Sequence, residues 1–535
     1  MNVTNGSKVD TADVIVVGAG LGGLCTAVAA RERGLSVTVL EKSELVGGAA
    51  AYSGGQVWVG ANHVQRRLGL DDSPQRVEEY VRALAASHPE LLDEDIMRRW
   101  IDISPIAAEY YEKIGAVQWD AIVGFPDYYT EKPGACLSGR YLTATYDASD
   151  LGEWAGKLRL APTFPVGMTY PELFEHGRYS TAFGAAGGPQ ASSARLTFGP
   201  GVVGPFLRAA IDRGVDIRLR QPVISLVVDE PGSVSGVRLA DGSELRGAVV
   251  LATSGFDWDP ELAERYFGVD DDNRGSVAPR SVSGDGIRMA TAAGADIVEF
   301  PSNRIPIVPG RPAPGEPGFT TVREYALPHA FVVDRTGRRF ANDAVYWEIA
   351  DAVIRRGHSP CWLIWDAQHH RRYGQGHPSE LVTEAATLAE LGERLGIDGV
   401  ELTATAERFS EHALRGEDPE FGRGSIVSRR MFDGDPTHEP NANLGDVAAP
   451  PFYGMRLRLV STGIGLTGVR VDSDARVLDT DGAPIAGLFA VGGCAAFTSS
   501  GTGYNSGFSL SRAMAFGYVA ANVIGAHHAR ATATR

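Results

Sequence analysis

At 535 residues the chain is several times the usual domain length, which excludes a single small module and leaves material for two or more cores. Its 44% apolar and 22% charged residues lie in the ordinary globular range, far from disordered or fibrous classes. A formal charge of −16 argues against nucleic acid, which needs a basic face to displace counterions. The same field suits a neutral or cationic substrate better than a polyanion, although a local basic pocket can override the average.

The opening MNVTNGSKVDTAD is polar without an apolar core, and no run of about 18 apolar residues occurs, so a cytoplasmic enzyme with no transmembrane segment is expected. Residues 13 to 41 read as one βαβ unit: strand DVIVV, turn GAGLGG, helix LCTAVAARERG with Gly34 as its C-cap, and strand LSVTVLE. Helical periodicity follows over about 75 to 118. The stretch 119 to 200, rich in Gly, Pro and Tyr, is expected to wrap the active site as ordered loops. Strands return in VDIRLR, PVISLVVDE, VSGVRLA and GAVVLAT. From about 300 to 450 the βαβ character is lost. Beyond Gly454 come further strands ending in LFAVGG and a long amphipathic helix around SRAMAFGYVAANVIG. The predicted fold is α/β: a discontinuous Rossmann-type nucleotide domain over 1–300 (with a helical and loop insert at about 75–200) and 450–535, carrying an inserted α+β cap over 301–449.

Gly18, Gly20 and Gly23 stand at GxGxxG spacing between a strand and a helix. The first permits the tight turn, the second lets the backbone approach a pyrophosphate, and the third allows close helix-to-strand packing, with the helix dipole facing the anion. Glu41, 23 residues after Gly18, can accept hydrogen bonds from a ribose and disfavours a 2′-phosphate. Two more glycine turns follow: ELVGGAAAYSGGQVW, with Gly47, Gly48, Ser53, Gly54 and Gly55, and GLFAVGGCAAFTSSGTGYNSGFSL, with Gly492 and Gly493. Together they resemble the flavin-binding turns of the fumarate reductase and ketosteroid dehydrogenase superfamily, which makes FAD the implied cofactor. In that superfamily the last helix aims its N-terminus at the flavin; here Ser506 and Gly507 would open it.

Three tyrosines have informative surroundings: Tyr128 in GFPDYYTEKPG, Tyr346 in GRRFANDAVYWE and Tyr504 in SGTGYNSG. With the SGGxxW segment Ser53 to Trp58, they resemble the bacterial FAD-dependent 3-ketosteroid dehydrogenases over about residues 12 to 525. The resemblance implies that Tyr504 and a backbone amide near Gly507 hold the 3-keto oxygen. It makes Tyr346 the general base, helped to become tyrosinate by a hydrogen bond from Tyr128, while the adjacent carbon gives hydride to flavin N5. A phenol with an ordinary pKa of about 10 is a poor base near neutrality, so this role needs a lowered pKa or concerted transfer. Tyr504-Asn505-Ser506-Gly507 departs from the Tyr-Pro-Gly-Pro-Gly of the 1-dehydrogenases towards the Tyr-x-Ser-Gly of the 4-dehydrogenases, in which the serine joins the site. The 1,2 and 4,5 positions both stay open.

The implied partner is a neutral, steroid-like polycyclic ketone, with an electron acceptor that the residues do not identify. A fumarate reductase-type enzyme would need an arginine after the GRRF turn and a histidine before the TxGG turn, where this chain has DAVYWE and LVSTGIG. A desaturase of a non-steroid polycyclic ketone would share every residue named above, and a non-catalytic flavin-binding protein would hold FAD without its reduction by a ketone. His63, His329, His369 and His370 have no metal-like spacing and read as surface or core groups. Asp257 is expected to cap a turn or helix, and Arg338 and Arg339 to form structural ion pairs. Cys25, Cys136, Cys361 and Cys494 lie far apart and read as core thiols, with no disulfide framework or metal site.

Overall fold

The computed structural model describes residues 10–162, 164, 166–175, 194–229, 232–301 and 307–533. The first nine residues of the polar N-terminus, and 163, 165 and 176–193 of the loop-rich stretch, lie outside the described residues. Two large sheets organise the chain, with three small sheets of two or three strands beside them among the described residues. Five parallel strands form the spine of the first, in the order Pro484–Ala490, Glu244–Leu251, Asp10–Val17, Val37–Leu40 and Asp216–Arg218. Val14 pairs with Val37 and Val17 with Leu40, so both strands end together beneath the first glycine turn. Three antiparallel strands extend this sheet: Arg476–Leu478 at one edge, and Ser233–Leu239 with Val223–Asp229 branching from Glu244–Leu251.

The helix Leu21–Arg31 starts directly after the turn, and its small and apolar residues, Leu21 to Ala30, are all buried between the sheet and neighbouring helices. It ends before the expected cap: Glu32 occupies the C-cap, and Gly34, in a left-handed conformation, turns the chain towards the next strand. The closing helix Phe508–Ala533, expected from the sequence as a long amphipathic helix, shows little division into a buried and a solvent face over its first half. It is buried on most faces as far as Ala521, wedged beside Leu21–Arg31 and the helix Glu94–Lys113. Its approach is close because Gly517 faces Gly22, where a side-chain carbon would fall 2.9 Å from the Gly22 carbonyl oxygen.

The second sheet has seven strands, and Phe452–Ser461 is its central member. That strand pairs with Ile307–Pro312, Cys361–Asp366, Arg274–Ser276 and Thr383–Ala385. Residues 274–276 and 452–461 therefore run in the cap sheet, whereas the expected division placed both with the nucleotide domain. Their backbone pairing, a long-range property, decides which sheet they join. Asp257 also differs from expectation. The cap of the helix Pro260–Phe267 is Asp259, whose side chain accepts from Leu262 N. Asp257 is fully buried and accepts from Gly463 N at 3.0 Å and Ser276 Oγ at 3.2 Å, tying the turn after the central cap strand to the first sheet. Among the described residues no helix is long and apolar enough to cross a membrane.

The turn tolerates no bulk at Gly23, where a side-chain carbon would overlap the Gly18 carbonyl oxygen. Gly23→Val is expected to cost about 3 kcal/mol or more through overpacking, read as a lowered midpoint in thermal unfolding. An unchanged midpoint would contradict this packing.

Candidate active site

One continuous cavity of about 2160 Å³, its solvent mouth included, runs between the two sheets. One end is lined by backbone. Gly18 (φ +108°) packs on Ala252, whose carbonyl oxygen a side-chain carbon would meet at 2.5 Å, and its N–H donates to Leu40 O at 2.8 Å. Gly20 is different: the nearest protein atom to a side-chain carbon there is 3.9 Å away, so this position faces the cavity. The helix that starts at Leu21 has no side-chain cap and no acid in its first turn, which leaves its first N–H groups for an anion. Glu41 borders the same end; its carboxylate accepts from Ala19 N at 3.0 Å and Ser43 N at 2.9 Å, which fixes it beside the loop.

Gly48, Ser53, Gly54, Gly492 and Gly493 line the cavity as expected. Gly23, Gly47 and Gly55 do not. Gly23 serves helix packing, Gly47 donates to Ala19 O at 2.9 Å to join two of the turns, and Gly55 lies against the Phe198 backbone. Several buried donors on the wall, Gln56 Nε2 and Ser509 Oγ among them, have no hydrogen-bond partner among the described residues.

The other end is aromatic, and it brings together all three singled-out tyrosines: Tyr128, Tyr346 and Tyr504 line it with Ser506, Gly507, Phe125, Tyr325 and Phe432. Tyr346 opens the helix Tyr346–Arg356; Tyr504 ends a buried turn whose Gly507 (φ +84°) precedes the closing helix. The Gly507 carbonyl accepts from Trp58 N at 3.2 Å, and a side-chain carbon at Gly507 would fall 2.7 Å from that nitrogen. The SGGxxW segment is thus the floor on which the last turn rests. Ser506 donates its hydroxyl to Gln56 Oε1.

The hydroxyls of Tyr128 and Tyr346 share no direct hydrogen bond; both rings pack on Trp347, at 6.3 Å and 4.9 Å between centroids. Tyr128 also meets Tyr504 edge-on at 6.3 Å. Burial pushes the Tyr346 phenol well above its ordinary pKa, and the neighbouring phenols of Tyr128 and Tyr504 push the same way. At rest it is a neutral phenol.

Several residues essential to this geometry were given no such role by the sequence. Asn505, fully buried, accepts from Tyr80 Oη and Tyr128 N through Oδ1, both at 2.8 Å, and donates to Tyr141 Oη at 2.7 Å. Asp127 accepts from Trp58 Nε1 at 2.7 Å and pairs with Arg140 at 2.8 Å, while Arg140 also grips Asp72, so the loop before Tyr128 is held from both sides. Arg323 and Arg429 line the aromatic end, with Asp433 between them at 3.8 Å and 2.7 Å. Only spatial assembly marks these residues; nothing in their local spacing does.

The remaining candidates lie off the cavity. His63 pairs with Glu112, His329 bonds Asp446 O, and His370 stacks on Tyr453 at 4.1 Å. Burial drives the His369 pKa down to about 3, so it is a neutral core imidazole held by Pro328 O. Arg338 is exposed on Glu401, and Arg339 is buried between Asp343 and Asp418. All four cysteines are buried and unbridged.

The FAD binding domain model matches residues 13–510, and the chain belongs to that family. It is 32% identical to a 4-oxocyclohexanecarboxylate 2-dehydrogenase of Sinomonas cyclohexanicum over 97% of this chain and 94% of that protein. It is 31% identical to a 3-oxosteroid 1-dehydrogenase of Mycobacterium tuberculosis over 95% and 97% of the two chains. Among solved structures, the 3-ketosteroid delta1-dehydrogenase of Sterolibacterium denitrificans superposes with a TM-score of 0.86 at 28% identity, covering 97% of this chain and all of that one. The protein is an FAD-dependent oxidoreductase acting on CH–CH groups, of the 3-ketosteroid dehydrogenase type. The residues present fit FAD: the glycine turns leave the cavity side of Gly20 open, and Glu41, Gln56 Nε2 and Ser509 supply polar partners along the wall.

Because the first side-chain carbon at Gly20 would meet no protein atom nearer than 3.9 Å, Gly20→Val is expected to keep its unfolding midpoint yet purify without flavin. The flavin-to-protein absorbance ratio measures this, and full occupancy would refute the loop assignment.

Proposed function

We propose that the protein desaturates a ring ketone next to its carbonyl group at the aromatic end of the cavity. The observation that carries this reading is the convergence of Tyr128, Tyr346 and Tyr504, with Ser506 and Gly507, on a cavity whose other end is the glycine-lined nucleotide cradle. Gly18, Gly20 and the N-terminus of Leu21–Arg31 would hold the pyrophosphate, Glu41 a ribose, and Gly48, Ser53, Gly54, Gly492, Gly493 and Ser506 the rest of the cofactor. Bound FAD supplies the acceptor for the hydride that leaves the β carbon.

The chain's own residues manage charge and protons. Tyr504 and the amide near Gly507 would donate to the ketone oxygen, stabilising the negative charge that develops there as the α carbon loses its proton. Tyr346 receives that proton on its phenolic oxygen, and the electron pair of the C–H bond becomes part of the new C=C. Tyr128 would share the phenolic proton; hydrogen bonds of this kind commonly tighten only with substrate in place. The 1,2-type position is supported by the full-length similarity to the two 1-dehydrogenases, with a 3-ketosteroid as substrate.

A second reading, a ring ketone that carries a carboxylate, is favoured by Arg323 and Arg429. The arginine that a fumarate reductase-type enzyme places after the GRRF turn is missing here, but these two other arginines line the wall. One relative is named for a keto acid of that kind. An anaerobic panel of 3-ketosteroids and 4-oxocyclohexanecarboxylate, read as flavin bleaching with product mass, separates the two.

Tyr346→Phe is expected to slow flavin reduction by roughly 10²–10⁴-fold, the usual worth of a general base, while FAD stays bound. Unchanged single-turnover reduction would remove Tyr346 from the role. Since only the deprotonated phenol can accept the proton, a raised pKa puts the rising limb at alkaline pH. Below that pKa the reduction rate is expected to climb about tenfold per pH unit, and a flat profile from neutral to alkaline pH would contradict it.

A further inference from the structure

Arg429 is a buried cation, only 4% exposed, on the helix Val427–Asp433. Its guanidinium carbon lies 4.5 Å from the Tyr128 ring centroid and 5.3 Å from that of Trp347, the ring on which Tyr346 packs. Nη1 pairs with Asp433 Oδ2 at 2.7 Å, and Nε has no partner among the described residues. The helix cannot drift from the tyrosines, because Ser428 Oγ donates to the Tyr128 carbonyl at 2.8 Å and Phe432 stacks on Phe125 at 4.2 Å.

We infer that Arg429 is a positioning residue for the proton transfer: its cation favours the tyrosinate form of Tyr346, and Asp433 limits how strongly. This rests on the reading of Tyr346 as base. The groups facing Tyr346 are the phenols of Tyr128 and Tyr129 from one loop, Tyr504 from the last turn, and Arg429 with its partner Asp433 from Val427–Asp433. The phenols oppose ionisation of Tyr346, and Arg429 pulls the other way. Conversely, the ionised forms of Tyr128, Tyr346 and Tyr325 all favour the Arg429 cation. In an environment poor in water a buried cation moves a neighbouring phenol's pKa by about one unit or more.

The test measures anaerobic flavin reduction against pH in the FAD-loaded protein, with a neutral 3-ketosteroid so that substrate charge plays no part. Arg429→Met is expected to move the alkaline limb up by about one pH unit, lowering the neutral-pH rate about tenfold with KM little changed. Arg429→Lys is expected to restore most of the shift, and Asp433→Asn to move the limb down. A second readout is direct titration of the tyrosinate absorbance that Tyr346→Phe removes, expected to shift the same way in each variant. A purely structural role would lower rates at every pH and leave the limb in place, which overturns the inference. So would shifts in one direction for both Met and Asn. If Tyr346→Phe reduces flavin normally, the reading of the base falls and the inference falls with it. A dead Tyr346→Phe beside an unmoved limb defeats the inference alone. If Arg429→Met fails to fold, Arg429→Lys and Asp433→Asn decide by whether their limbs move.

Discussion

Asn505 holds together segments that are far apart in sequence, and the aromatic end of the cavity depends on it. One side-chain oxygen receives both the Tyr80 hydroxyl and the Tyr128 amide, and the nitrogen reaches the Tyr141 hydroxyl. The loop of Tyr128, the helix Pro74–Ala85 that carries Tyr80, and the turn of Tyr504 are thereby registered to one another. A buried amide that loses such partners leaves several polar groups desolvated at about 1–3 kcal/mol each. The network therefore acts as a unit, and Tyr128 and Tyr504 can hold their edge-on contact without bonding each other.

The same logic distinguishes what the residues announced from what they did not. The first glycine turn was legible because its requirements are local: a strand, a turn with room at Gly20, a helix packed tightly at Gly23, and an acid at Glu41. The three tyrosines were legible through their neighbours in sequence. Asn505 was visible only as a departure from an expected run, since its hydrogen bonds reach residues more than 360 positions away. Phe452–Ser461 read correctly as a strand, yet apolar alternation does not say which sheet a strand joins, and it became the centre of the cap. The closing helix was read as a helix, but the extent of its burial was not: small residues such as Gly517 allow close approach on more than one face.

Net charge was a poor guide to the substrate end. The chain carries −16 overall, but the aromatic wall holds two arginines against one aspartate. A surface average says little about a few desolvated charges, because screening removes the former and hardly touches the latter.

Burial then has two consequences for Tyr346 that cannot be separated. Removing water raises the cost of ionising the phenol, and it also lengthens the reach of the nearest cation. A phenol on the surface would ionise near its ordinary pKa and feel Arg429 weakly. In this cavity it stays neutral at rest, and its acidity is governed by the fixed charges around it. Asp433 sets the balance, since a lone buried arginine would carry a large desolvation cost, while a fully matched pair would cancel its own field. With Arg323 on the far side of Asp433, the three groups sum to one positive charge facing the tyrosines. That arrangement suits a site where negative charge appears only in passing, on a phenol or on a ketone oxygen.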